Sequence, residues 1–144
     1  MKSSLSHIRK LRATVRKYDL PRPAGFDALS DEQLRAVYNG IGSDKYASLL
    51  WLTTRIFEVF EAPALIHDAS WTLYNDGTVT EWERSNNRFR AGNRIMAETC
   101  HVWFGWFRPA QRMLFRQSGE LLYRVVSSQV IGWPIWAGSR TKGV

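Results

Sequence analysis

Apolar residues at Leu5, Ile8, Leu11 and Val15 recur at steps of three and four with Arg and Lys between them. This spacing predicts a short basic amphipathic helix, or an arm, over residues 5–18. Leu20-Pro21-Arg22-Pro23-Ala24-Gly25 then breaks any helix twice, because each proline lacks an N–H and restricts the residue before it. The chain therefore divides into a basic N-terminal helix or arm with a Pro-rich linker, 1–25, and one further domain, 26–144. In that domain Ser30-Asp31-Glu32-Gln33 has the capping-box pattern, and a helix is expected through Leu34 and Val37 as far as Asn39-Gly40-Ile41-Gly42. Dense apolar content from Tyr46 to Phe60 predicts a second helix. Pro63 suits the first turn of a third, carrying Leu65, Ile66, His67, Asp68, Trp71 and Tyr74 to a stop at Asn75-Asp76-Gly77. A long helix is expected from Thr80 to near Arg108-Pro109, and a last one from about Pro109 to Val130. No run alternates long enough to predict a strand. The expected fold is all-α: a compact helical domain with two or three long helices and a glycine turn.

Composition narrows this picture. The chain has 144 residues, 44% of them hydrophobic and seven of them Trp, which is enough for one real core and too apolar for global disorder. One cysteine, Cys100, excludes an internal disulfide framework and makes a Cys-based zinc site implausible. Val125 to Ser139 is uncharged, but it is too short and too broken by Gly132, Pro134 and Gly138 to span a bilayer. Arg9, Lys10 and Arg12 interrupt the N-terminus where a secretory signal needs an apolar run. The expectation is a soluble protein made in the cytoplasm without a signal peptide.

The net charge of +7 is unevenly distributed. Residues 1–22 carry +6, residues 23–83 carry −7 and residues 84–144 carry +8. An acidic middle suits a cation, and basic flanks suit phosphate, phospholipid or nucleic acid. The alternative is ordinary solvated charge, with pairing between the blocks. Arg108, Arg112 and Arg116 form one stripe, read either as a solvated face or as a phosphate site. Trp103, Phe104, Trp106, Phe107, Trp133 and Trp136 are read as core, with some available for a membrane-interface belt. His7 and His101 have no evident partners.

The residues with the most chemistry are His67 and Asp68. On a helix they point about 100° apart, so they cannot act on the same atom, but they can take neighbouring roles in one site. An imidazole serves as a general base near neutral pH, while a carboxylate holds a hard cation whose other ligands are loop carbonyls. Three strings carry a resemblance: Tyr38-Asn39-Gly40-Ile41-Gly42, His67-Asp68-Ala69-Ser70-Trp71 and Asn86-Asn87-Arg88-Phe89. Together they resemble the phospholipase A2-like family, in its compact bacterial and phage-borne branch, with its Y-x-G-x-G loop, H-D-x-x-Y helix and D-x-x-F helix. The resemblance covers about residues 29–96.

It implies that His67 takes a proton from the attacking water. It also implies that Asp68 binds Ca2+ together with the carbonyls of Tyr38, Gly40 and Gly42, and that this ion polarises a phospholipid ester. Trp71 stands where the family has Tyr. Asn86, or Asn87 if the helix is shifted by one, stands where the family has the Asp that orients the histidine, so the implied activity is weakened or lost. The expected partner is a phospholipid surface. The competing expectation is a catalytically inactive virion or host-interaction protein, binding a protein or nucleic acid through its basic arm.

Overall fold

The computed structural model describes residues 3–39, 58–99 and 108–139. The expected helix over residues 46–57, the glycines Gly40 and Gly42, and the segment with Cys100, His101 and Trp103 to Phe107 lie outside them. So does the Arg108 side chain. The described residues are helical with no strand: α1 (Leu5–Lys17), α2 (Asp31–Val37), α3 (Glu61–Leu73), α4 (Val79–Thr99), α5 (Arg108–Val126) and α6 (Gly132–Ser139), with a 3-10 turn at Phe26–Ala28. The all-α fold class read from the sequence is the observed one.

Local chemistry explains the helix ends. Ser4 starts α1 by accepting the His7 N–H at 3.2 Å. At α2 the capping box is complete: the Ser30 hydroxyl accepts the Gln33 N–H at 3.1 Å, and the Gln33 side chain accepts the Ser30 N–H at 2.8 Å. Between α3 and α4 the chain turns at Asn75-Asp76-Gly77, where Gly77 adopts a φ of 82°. Asp76 there accepts both the N–H and the hydroxyl of Thr78, whose own oxygen accepts the Glu81 N–H and opens α4.

The last helix differs from expectation. Instead of running to Val130, α5 ends at Val126, because the Ser128 hydroxyl accepts the N–H groups of Val130 and Ile131 and its carbonyl accepts that of Gly132. A serine that offers the backbone a local partner competes with the helical ladder. The chain then re-forms α6.

Ile8, Leu11 and Val15 of α1 are buried in the same core as Leu34 and Val37 of α2, Leu65 and Ile66 of α3, Phe89 and Met96 of α4 and Phe115 of α5. Helix α3 lies at the centre, buried on nearly every side from Ala62 to Trp71, with Asp68 only partly covered. Close approach needs small residues. A Cβ on Gly92 of α4 would come within 3.2 Å of Pro63 on α3, and one on Gly119 of α5 within 3.0 Å of Asn93 on α4. Trp71, Trp82 and Trp136 make a second apolar cluster that fastens α6 to the α3–α4 turn.

Part of the N-terminal positive charge is paired within the molecule. Arg9 and Arg12 pair with Asp31, Arg16 and Arg22 pair with Asp27, and Arg22 also reaches Asp19. These guanidinium groups hold the carboxyls of Asp27 and Asp31 below the ordinary range. On the opposite side Arg90 pairs with Glu120, and Arg116 of the predicted stripe pairs with Glu98.

Candidate functional site

His67 sits in the middle of α3, where an apolar helix face would bury any side chain, and it is 5% exposed. Its ring lies between Trp71 on its own helix (centroids 4.3 Å apart) and Phe89 on α4 (4.7 Å). Residues His67 and Trp71 are four apart, one turn, which brings their rings together. On α4 the buried positions Trp82, Ser85, Asn86, Phe89, Gly92, Asn93 and Met96 recur at helical spacing and face inward. That register turns Asn86 to the histidine and leaves Asn87 exposed. His67 Nε2 and Asn86 Oδ1 are 3.2 Å apart, buried on both sides.

With the amide oxygen toward the ring, Nε2 carries the proton and donates it, so Nδ1 keeps the lone pair. The Asn86 Nδ2 group is buried without a partner beside the ring. An unsatisfied buried donor is costly.

Asp68 faces the other way. Its Oδ1 is 4.0 Å from His67 Nδ1, too far for a hydrogen bond, and its Oδ2 accepts the Asn39 N–H at 2.9 Å. The carboxylate thus ties α3 to Asn39, the residue before Gly40 in the sequence. The structure brings His67, Asp68, Asn86 and the Tyr38–Asn39 peptide together. Gly40 and Gly42 are outside the described residues.

The cation set can be tested on that peptide. It is trans, so its C=O and N–H point in opposite directions. Because the Asn39 N–H points at Asp68, the Tyr38 carbonyl points away from it. Asp68 Oδ1 suits a hard cation, but Tyr38 does not share an ion with Asp68 unless this peptide turns over. Among the described residues no three His, Cys, Asp or Glu side chains converge on one point.

A titratable pair that residue spacing does not reveal lies beside the site. His7 of α1 approaches Glu61 of α3, with Nε2 3.3 Å from Oε2. Burial pushes the Glu61 carboxyl above its ordinary range, with Glu58 adding to the shift and His7 and Lys10 opposing it. Burial, and then the charges of Glu61 and Asp68, likewise suppress ionisation of Tyr38. No local motif could have revealed the contact, because the partners are 54 residues apart.

No protein-family model, curated protein or solved structure matches the chain. The functional reading therefore rests on this geometry and on the resemblance of the three strings. A separate hollow of about 330 Å³ is lined by Val79, Trp82, Gln129 and Trp133, and includes none of His67, Asp68 or Asn86.

Proposed function

We propose that the chain is a phospholipase A2-like ester hydrolase of low activity, acting on phospholipid with His67 as the base. The supporting observation is the buried contact of His67 Nε2 with Asn86 Oδ1. It leaves Nδ1 as the proton acceptor, with Asp68 one residue away and bonded to the Asn39 N–H.

In this reading Nδ1 removes a proton from water as the water attacks the ester carbonyl, and the imidazolium later returns it to the leaving alcohol. Asn86 fixes the ring but brings no negative charge to stabilise the imidazolium. In a Ser-His-Asp triad the same loss costs about four powers of ten, the worked example of that chemistry. Asp68 would hold a calcium ion, which would supply Lewis-acid polarisation of the ester.

The test is ester release from phospholipid vesicles, with and without Ca2+, by the wild type, His67→Ala and Asn86→Asp. Weak release that His67→Ala abolishes and Asn86→Asp raises by about tenfold or more supports the reading. Silence from the wild type and from Asn86→Asp under all metal conditions sinks it.

The neutral Asn86 favours a second reading, a catalytically inactive virion or host-interaction protein. Pairing of Arg9, Arg12, Arg16 and Arg22 with aspartates weakens the version in which the N-terminal arm binds nucleic acid.

A further inference from the structure

The hollow of about 330 Å³ between the start of α4 and the α5–α6 turn is walled by two indoles. Trp82 of α4 and Trp133 of α6 meet edge to face, with planes at 86° and centroids 5.3 Å apart. Gln129 brings an exposed side-chain amide from the turn, and Val79 completes the lining. These walls are fixed before anything enters. Trp82 is 6% exposed and shares a cluster with Trp71 and the 1% exposed Trp136, whose ring centroid lies 5.3 Å from that of Trp133. The Asn75 side chain donates to the Trp136 carbonyl at 2.9 Å, and the Ser128 hydroxyl, next to Gln129, accepts the Val130 and Ile131 N–H groups. Groups already held in place lose little freedom when a ligand binds.

The lining selects its ligand by exclusion. No acidic or basic side chain lines the hollow, so an ion of either sign would leave water without a counter-charge. A wholly apolar ligand would cover the Gln129 amide, which has two donors and an acceptor to satisfy. It would also do nothing for the Trp82 Nε1 group, which is buried with no partner among the described residues. What remains is a neutral ring with apolar C–H faces and hydroxyls round its edge. Such a face suits an indole, and such hydroxyls suit an amide that both donates and accepts. The volume lies at the small end of ligand pockets, which limits the occupant to about one ring.

We propose that this hollow binds one ring of a neutral saccharide, its C–H face against the half-buried Trp133 and a hydroxyl on the Gln129 amide. The site includes none of His67, Asp68 or Asn86, and the inference does not rest on the hydrolase reading.

The test follows the indole N–H signals of the full chain by nitrogen-15 NMR. The probes are methyl β-glucoside, methyl β-galactoside and N-acetylglucosamine, with tetramethylammonium and inorganic phosphate as charged controls. At least one sugar is expected to shift the Trp133 signal, assigned by its loss in Trp133→Phe, and to saturate on the order of 1 mM. Gln129→Ala should weaken that sugar about fivefold. Val79→Phe sets a larger side chain at an exposed position of the lining and should weaken it about tenfold or more. Both variants should keep the wild-type helix content, and His67→Ala should bind as the wild type does. Silence with all three sugars overturns the proposal. Equal affinity in Gln129→Ala and Val79→Phe places the sugar elsewhere and overturns it too. Saturation by either charged control with the sugars silent assigns the hollow to an ion, which also overturns it.

Discussion

Two asparagines seven residues apart on the same face of α4 occupy opposite kinds of site. Asn86 and Asn93 are both 1% exposed, and each makes one hydrogen bond and leaves one amide atom unpaired. Asn93 turns its Nδ2 to the Gly119 carbonyl of α5 at 3.2 Å, a partner that cannot change its charge. Asn86 turns its Oδ1 to His67 of α3, a partner that can. The α4–α5 contact is thus a fixed joint closed by small residues and by the Arg90–Glu120 and Arg116–Glu98 pairs. The α3 side instead collects His67, Asp68, Tyr38, Glu61 and His7 within one neighbourhood. One residue type on one helix face serves structure at one end and holds chemistry at the other. What differs is only the group opposite.

The largest difference should come from placing a carboxylate at each position. Asn93→Asp buries a charge against a carbonyl oxygen and is expected to cost about 3 kcal/mol or more at neutral pH, with part recovered in acid as the carboxyl protonates. Asn86→Asp faces an imidazole that can become its counterion, and should cost about 1 kcal/mol. Urea unfolding of both variants measures the gap, and equal losses would remove the distinction between the two sites. Next in size is Gly119→Ala. Its Cβ would lie 3.0 Å from that of Asn93 and 3.3 Å from the Phe60 ring, so a loss of about 1–2 kcal/mol is expected despite the better helix propensity.

The smallest effect concerns Glu61. Its folded-state pKa is raised, so the folded chain binds more protons than the unfolded one as pH climbs from the ordinary carboxyl range through the raised value. Across that window the wild type should lose stability with rising pH. Glu61→Gln should flatten the slope by about 1 kcal/mol at most, because His7 and Lys10 oppose part of the burial cost. Thermal unfolding from pH 4 to pH 8 reads this directly, and an unchanged slope would mean that Glu61 is effectively solvated.

The sequence made visible whatever is decided within a turn or two of helix. The Ser30–Gln33 box, the stop at Asn75-Asp76-Gly77 and the buried face of α1 follow from spacing and capping. The break after Val126 was missed, because the apolar rhythm continues through Val130 and only the Ser127-Ser128 pair, followed by Gly132, signals a competing local turn. The N-terminal charge counts as +6 along the chain, yet Asp27 and Asp31 pair with four of its arginines in space, since the 3-10 turn and the start of α2 fold back on α1.

At the candidate site, the register of α4 turns Asn86 rather than Asn87 to His67, while the roles of His67, Asp68 and Asn86 belong to the proposal. The Asn39 N–H donates to Asp68, so the Tyr38 carbonyl of the same peptide points away from that carboxylate, an orientation no residue spacing encodes.

The most direct test of the account is the protonation of the His67 ring, read by nitrogen-15 NMR of the imidazole in the full chain at neutral pH. The account predicts the neutral tautomer with its proton on Nε2, donated to Asn86, and a bare Nδ1. A proton on Nδ1, with Nε2 accepting from the Asn86 amide, would contradict it, because the nitrogen assigned as base would then have no lone pair to offer.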